Sequence, residues 1–380
     1  MKFLYFLLAV ITLLVAGLLG AYMFLGEITF FSLIHTGLRS PQAPFVPEAT
    51  TYDTLVKANT EFASGMRKLN SGEFAAAQAD FSNALQLTDD EQQRLQIAYK
   101  IAIAKREMGD HVAAIRELKD LVAHPESSVY MKAYAVENIG QLYYTYPDKA
   151  DLLTKEIFSG APYSAFLVSD DLRQSYANLF EYAASFYPTG YAEMRNAEYK
   201  LSLWDTAERR NTITDTVRTG YRDLVVQKLR NADADIQRIQ QIPNTKDGIA
   251  EIMMRRAMVI GKLQKLDPSA VVEFGSLDTA FQSAFAVYAL KSRPTADGFL
   301  RFNYAYMLYL NFGTERAADI RNVLAPLYQD SAYLNEKVTG YLRTERKNVL
   351  QTKSVLVALA NIDPDFKTHL LSLDWQQSDF

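Results

Sequence analysis

The stretch Gly65–Leu87, GMRKLNSGEFAAAQADFSNALQL, decides the fold of this chain. Two segments of helical periodicity flank Gly72, and each carries small and large apolar residues at helical intervals. The small ones lie where two antiparallel helices would approach closely, at Gly65, Ala77 and Ala84, and the large ones that fill the space between are Phe74, Phe81 and Leu85. The stretch therefore predicts a helical hairpin with its turn at Gly72.

In spacing and residue type this hairpin resembles a tetratricopeptide repeat. Such a unit cannot bury its own apolar face, so the resemblance implies further hairpins stacked beside it. A second copy begins near Leu95, and aligning Gly72 with Gly109 gives a separation of 109 − 72 = 37 residues. It departs from the pattern at two positions, since His111 replaces the aromatic residue and Leu121 replaces the second alanine.

Two later segments resemble the repeat loosely. In the first, Gly140 takes the position of Gly65, and the paired helix is predicted over Lys149–Phe158. In the second, residues 299 to 327, the turn is predicted at Gly313, with Ala318 and Ala325 at the small positions. The resemblance covers well under half of the chain, so the remaining helices are predicted from periodicity alone.

Helical periodicity dominates from Tyr52 to the last residues, with no convincing strand pattern. The sequence predicts an all-α fold, in which residues 53–165 form TPR-like repeats of an α-solenoid and residues 166–380 a degenerate helical-repeat region. The helices predicted in this second region, with stops at proline or glycine, are Ser169–Phe186, Lys246–Leu266, Ser269–Lys291, Thr295–Asn311, Ser331–Asn361 and Asp363–Leu373.

The most polar part of the body is Tyr191–Gln241, which we expect to be helical and partly exposed. Within it, four arginines are interleaved with four acidic residues, namely Arg209, Arg210, Arg218 and Arg222 with Asp205, Glu208, Asp215 and Asp223. A solvated, self-paired surface is the simpler interpretation, and a basic face toward an acidic or phosphate-bearing partner is the alternative.

The N-terminal residues 3–25 carry no charge, and 23 residues in a helix span roughly 34 Å, enough for a bilayer core. We interpret residues 1–38 as a single transmembrane anchor with a juxtamembrane segment, and residues 39–52 as a proline-rich linker or stalk. A cleaved signal peptide is the rival, but Leu19 fits its cleavage site poorly. Lys2 on one side and Glu27 on the other favour a cytoplasmic N-terminus and an extracytoplasmic body.

Composition excludes several functional classes. The net charge of −4 and pI near 5.7 argue against nucleic-acid binding, and the absence of cysteine excludes disulfides and thiolate sites. The four histidines are scattered, and no phosphate-binding, dinucleotide-binding or nucleophile-elbow motif occurs. The sequence therefore predicts a protein that is not an enzyme and has no cofactor or metal.

Binding of other proteins is what the resemblance implies, because the first helix of each repeat commonly lines a concave groove in this family. The matching positions here are Asn59, Phe62, Met66, Asn70, Gln96, Tyr99, Ile103 and Arg106. Phe62 and Tyr99 stand where a clamp for a terminal carboxylate would need cations or amides, so an apolar or extended partner is expected. The alternative is that several of these side chains only pack against a neighbouring helix.

Taken together, these features predict a single-pass protein of the inner or plasma membrane that scaffolds or recruits proteins at a bacterial-type cell envelope. An all-α envelope enzyme, or a glycan- or lipid-binding protein with the repeats as a platform, is the alternative. It requires carboxylates that converge in a pocket between the middle and C-terminal helices. A cytoplasmic adaptor with inverted topology is the third possibility.

Overall fold

The computed structural model describes residues 55–57, 59–145, 150–168, 172–240, 246–289, 294–329, 351–373 and 375–380. All regular structure in these ranges is helical, which confirms the predicted all-α class. The predicted anchor, its juxtamembrane segment and the proline-rich linker lie outside the described residues. Within the ranges given, no helix combines the length and apolar character that crossing a bilayer requires.

The described ranges contain sixteen α-helices. They are α1 Thr60–Ser71, α2 Phe74–Gln86, α3 Glu91–Glu107, α4 His111–Ala123, α5 Val129–Thr145, α6 Ala150–Ile157, α7 Leu172–Phe186, α8 Gly190–Arg209, α9 Asp215–Gln240, α10 Lys246–Leu266, α11 Leu277–Ala289, α12 Pro294–Phe312, α13 Ala317–Leu324, α14 Pro326–Gln329, α15 Gln351–Ile362 and α16 Pro364–Ser372. Two 3₁₀ segments, Tyr163–Phe166 and Pro268–Phe274, precede α7 and α11, and a third, Gln377–Asp379, follows α16.

The first two hairpins have the turns that the sequence predicts. Gly72 and Gly109 have φ of +84° and +88°, a left-handed conformation that only glycine adopts without strain. At the start of α1, Asn59 Oδ1 accepts a hydrogen bond from the Phe62 amide (3.0 Å). At the start of α3, Asp90 Oδ1 accepts one from the Gln93 amide (2.8 Å). These side chains satisfy amide groups that a helix N-terminus leaves unpaired.

The turn at Gly72 gives a direct test of backbone conformation. Gly72→Ala is expected to lower the free energy of unfolding by about 1 kcal/mol, because a Cβ is disfavoured at positive φ. Gly72→Asn should cost less, since asparagine tolerates this region better. Urea denaturation of the three proteins measures the difference, and equal losses for both variants would contradict the conformational explanation.

Two helical glycines lie directly against aromatic rings of other helices. A Cβ built on Gly65 in α1 would lie 2.6 Å from the Phe81 ring in α2, and one on Gly140 in α5 would lie 2.7 Å from the Phe180 ring. Gly140 therefore repeats the role of Gly65, as its position in the sequence predicts. The ring it meets belongs to α7, however, and not to α6, the short helix that follows it.

Neighbours in sequence are also neighbours in space. From α1 to α5 each helix packs on the next, α5 packs on both α6 and α7, and α7 to α13 continue in the same order. Some helices that are two apart in sequence also pack on each other, namely α8 with α10 and α10 with α12. A small hydrophobic cluster joins α1, α2 and one side of α3, and a large one continues from the other side of α3 to Trp375.

Three sequence predictions for the second region are wrong in detail. Tyr191–Leu201 in α8 is buried on every side rather than partly exposed, because α5, α7, α9 and α10 surround it. The helix predicted over Ser269–Lys291 is a 3₁₀ segment and then α11, separated at Gly275 with φ +83°. Gly313 does form a turn, but Ala318 is exposed, and Ile320 and Leu324 make the apolar contact instead.

Other boundaries agree closely with the prediction. α10 spans Lys246–Leu266 as predicted, and α12 and α16 differ from their predicted ranges by one residue at each end. For the helix predicted over Ser331–Asn361, only α15 falls within the described residues. Proline and aspartate at the helix starts account for this accuracy, since both favour the first turn.

Candidate functional site

The four predicted binding residues of α1 have different environments. Asn59 is occupied in the hairpin itself, since its Nδ2 donates to the Ala84 carbonyl (3.3 Å) and to Thr88 Oγ1 (3.2 Å). Phe62 is fully buried, and its ring centroid lies 5.5 Å from that of Phe81. Met66 is half-buried against the small cluster. The side chain of Asn70 lies outside the described part of the structure, so α1 offers chiefly Met66 to a partner.

The four predicted residues of α3 share one face and are all half-buried, namely Gln96, Tyr99, Ile103 and Arg106. Two of them are fixed by one amide of α5. Asn138 Nδ2 donates to the Tyr99 hydroxyl (2.7 Å), and Asn138 Oδ1 accepts a short hydrogen bond from Arg106 Nη1. Because Asn138 is itself buried, it holds a phenol and a guanidinium in place at the edge of solvent.

We name Met66, Gln96, Tyr99, Ile103 and Arg106 the α1/α3 face. Two residues of α5 that sequence reasoning did not select, Asn138 and Gln141, border it, and Gln141 Oε1 lies 3.4 Å from Arg106 Nη1. The repeat register aligns Gly140 with Ala102, and Gln141 follows Gly140 as Ile103 follows Ala102. Extending the register to the third hairpin would therefore have selected Gln141. No comparable register signal marks Asn138.

The face ends at α5, whose side toward α8 is covered by the protein's own helices. Glu137 on α5 is hydrogen-bonded to Thr189 Oγ1 and accepts from the Ala192 amide (3.2 Å) at the start of α8. From α9, the Arg238 guanidinium lies 5.0 Å from the ring centroid of Tyr130 on α5. Any groove along the first helices is therefore confined to α1, α3 and the near edge of α5.

On the α8 side of this boundary, charged side chains of α8 are buried and paired. Lys228 Nζ on α9 lies 2.9 Å from Glu193 Oε2 and 2.9 Å from Glu181 Oε2 on α7, and Asn231 Nδ2 donates to Glu193 Oε1 (2.8 Å). Glu193 has no exposed area and Lys228 only 3%. Burial alone would lower the pKa of Lys228, but Glu181 and Glu193 raise it above its usual value, so the ammonium stays charged.

A second buried ion cluster lies further along α8. Arg195 Nη1 is 2.5 Å from Glu198 Oε2, and Arg255 Nη1 on α10 is 3.2 Å from the same oxygen. Burial would raise the pKa of Glu198, but the two guanidinium groups outweigh it and lower this pKa. Phe180 and Tyr199 lie 5.7 and 5.5 Å from the Arg195 guanidinium, so aromatic rings complete its environment.

The arginines near the end of α8 and the start of α9 are paired with acidic neighbours. Arg209 bonds to Asp205, and Arg222 Nη2 lies 2.9 Å from Asp223. Arg218 Nε lies 2.6 Å from Glu208 Oε1. These three pairs confirm the predicted self-paired surface for Arg209, Arg218 and Arg222, whereas Arg210 is exposed and forms no ion pair with a described residue.

A cavity of about 360 Å³ lies between the end of α10, the 3₁₀ segment before α11, and the end of α12. Its lining residues are Gln264, Pro268, Val271, Val272, Gly275, Ser276, Leu277, Asp278, Phe312 and Arg316. Asp278 is the one carboxylate among them, and it accepts from the Tyr304 hydroxyl (2.6 Å) and from Arg316 Nη1 (2.8 Å). Burial would raise the pKa of Asp278, but these two contacts lower it, which suits an ion pair and not a proton donor.

Metal-ligand geometry is not found in the part of the chain that the structure describes, where no three histidine, aspartate or glutamate side chains are placed to hold an ion. Compared with protein-family models, with curated proteins and with solved structures, the chain has no match in any of the three.

Proposed function

We propose that this protein is a TPR-like helical-repeat scaffold that binds an extended segment of another protein on the α1/α3 face. One observation carries the proposal: Asn138 fixes Tyr99 and Arg106 side by side while both remain partly exposed. An aromatic ring and a guanidinium that are already ordered lose little entropy on binding, and tyrosine and arginine are enriched at interface hot spots.

The chemistry of the face suits a mixed apolar and amide-bearing ligand. Met66 and Ile103 offer aliphatic surface, whereas Gln96 and Gln141 offer amide groups to the backbone of an extended peptide. Arg106 Nε is engaged by Glu107 (2.9 Å), so the face has little free positive charge for a terminal carboxylate. The partner we propose is therefore an internal segment with at least one aliphatic side chain.

The solenoid architecture is part of the same proposal. The packing of each helix on the next from α1 to α5 supports stacking of similar hairpins, and Gly140 lies against an aromatic ring as Gly65 does, although that ring belongs to α7. The second half departs from it, since the buried ions of α8 replace the small and apolar residues of a regular repeat. We propose that this half caps the α1–α6 repeats rather than extending their groove.

Membrane attachment through residues 3–25, with the body outside the cytoplasm of a bacterial-type cell, completes the proposal and rests on the sequence. Its test is protease digestion of cells that carry a tag after Phe380, with any outer membrane made permeable and the inner or plasma membrane intact. Loss of the tag upon external digestion supports the proposed topology. Protection of the tag until the membrane is broken indicates a cytoplasmic adaptor instead.

Substitution on the α1/α3 face tests the binding function. Ile103→Glu places a charge on the aliphatic part of this face and is expected to reduce the amount of co-purified partner by about tenfold or more. The matched control is Leu152→Glu, an equivalent change at an exposed leucine on α6, which should leave the partner bound. The measurement is affinity purification in mild detergent with quantitative mass spectrometry.

The comparison between the two variants decides the outcome. Equal recovery of every partner with Ile103→Glu and with Leu152→Glu would contradict binding at the α1/α3 face. Enrichment of no protein at all by the unmodified chain would contradict the scaffold proposal as a whole. Circular dichroism of both variants controls for loss of helix.

A further inference from the structure

Two carboxyl groups from different helices meet at the N-terminus of α8. Asp235 of α9 accepts from the Gly190 amide (2.7 Å), and Glu137 of α5 accepts from the Ala192 amide (3.2 Å) and is hydrogen-bonded to Thr189. Both are buried, with 1% of Asp235 and 3% of Glu137 exposed. The start of α8 thus joins the N-terminal hairpins to the central helices through a pair of acids.

The two acids differ in how their charge is neutralised. Asp235 Oδ1 accepts from Arg238 Nε (2.8 Å) and Nη2 (2.6 Å), so it has a cationic partner. The contacts described for Glu137 are to a hydroxyl and an amide, which are both neutral. A buried carboxylate without a cation is strongly destabilised, and the group takes up a proton instead. Burial, and then the nearby Asp235, raise the pKa of Glu137 well above its usual value.

Among the groups around this junction, Glu137 is the carboxyl whose described contacts include no cation; burial also raises the pKa of Asp235, although Arg238 opposes that shift. The titratable and charged side chains of the surrounding elements are Tyr130 and Tyr134 on α5, Glu181 on α7, Tyr187 before α8, Tyr191 and Glu193 on α8, Asp235, Arg238 and Lys228 on α9, and Arg255 on α10. Burial raises the pKa values of Tyr187 and Tyr191, so both stay neutral. Glu181 and Glu193 are paired with Lys228, and Arg238 and Arg255 remain cationic.

We propose that Glu137 makes the junction between α5 and α8 sensitive to protons: the N-terminal hairpins are held against α8 while Glu137 is protonated, and the contact loosens when Glu137 ionises. The direction follows from linkage. A carboxyl group with a raised pKa in the folded protein contributes stability that is fully present below the usual glutamate pKa and is lost as the pH rises through the raised value. Acid therefore closes the junction.

Hydrogen–deuterium exchange of the full chain in mild detergent tests this proposal, with rates corrected for the intrinsic effect of pH. As the pH rises above about 5, amides in α5 and in the first turns of α8 should lose protection, by about tenfold or more once Glu137 ionises. Glu137→Gln keeps a neutral acceptor for Thr189 and Ala192, so this variant should lose most of that pH dependence. No pH dependence in the natural chain, or an unchanged one in Glu137→Gln, overturns the proposal.

Two controls keep the result unambiguous. Glu198→Gln removes a buried carboxyl that has arginine partners. In this variant the amides of α5 and α8 should retain the pH dependence that they have in the natural chain. If that dependence were lost as well, the effect would not belong to Glu137. Infrared spectra of the natural chain, with and without ¹³C-glutamate, require no substitution: a buried protonated carboxyl signal is expected at about pH 6, where ordinary glutamates are ionised, and its absence overturns the proposal.

Discussion

Replacing Lys228 by methionine is expected to lower the free energy of unfolding by about 3–5 kcal/mol, because it leaves a buried carboxylate without its cation. Lys228 Nζ lies 2.9 Å from both Glu193 and Glu181. Glu193 is fully buried and would lose the ammonium of Lys228, whereas Glu181 reaches solvent. The loss comes from the charge that remains, and not from the methylene groups, which methionine replaces.

A matched control lies two residues away on the same helix. Arg230 pairs with Glu273 at 3.0 Å, but both side chains are about half exposed, so Arg230→Met should cost less than about 1 kcal/mol. Adding Glu193→Gln to Lys228→Met should recover part of the loss, since it removes the unpaired charge. Urea denaturation in the same detergent measures all four proteins. A loss with Lys228→Met no larger than that with Arg230→Met would show that this buried pair does not hold α8.

Replacing Phe81 by alanine is expected to remove about 3–5 kcal/mol from the stability of the first hairpin. The Phe81 ring fills the space above Gly65 and contacts Phe62, so its removal leaves a cavity at the centre of the small cluster. Because this cluster is separate from the large one, the loss should stay local. Hydrogen exchange should accelerate in α1 and α2 while the amides of α8 and α9 keep their protection.

Leu87→Ala is the control for Phe81→Ala. Leu87 ends the same hairpin with 72% of its surface exposed, so its truncation should change stability by less than about 0.5 kcal/mol. Acceleration of exchange throughout α1 to α10 in Phe81→Ala would contradict the local model. It would instead describe a single cooperative body in which no hairpin unfolds alone.

Local signals in the sequence predict the hairpins well. Gly72, Gly109 and Gly313 mark turns because the backbone has a positive φ there. The helical spacing of small and aromatic residues predicts the contact between Gly65 and Phe81. The same local reasoning fails at α8. Its charged sequence is typical of an exposed helix, but the cation that pairs with Glu193 is Lys228 on α9, and the carboxyl that accepts from its first turn is Glu137 on α5, both far away in sequence.

The candidate site is predicted in part for the same reason. Repeat register places Gln96, Tyr99, Ile103 and Arg106 on one side of α3, where all four are half-buried, because that side is set by helical periodicity. Register gives the wrong environment for Phe62, which the small cluster buries. It also omits Asn138, since a side chain that bridges two helices is identified by its contacts and not by its spacing.

Photo-crosslinking at Gln96 in the membrane of the native host is the most direct test of the α1/α3 face as a protein-binding surface. A photoreactive residue at position 96 is predicted to give discrete adducts with a partner protein, and Ile103→Glu in the same chain should abolish them. The control position is Asp151, exposed on α6, where the same adducts should not form. Adducts of equal pattern at both positions, or none at position 96, would contradict the proposed function.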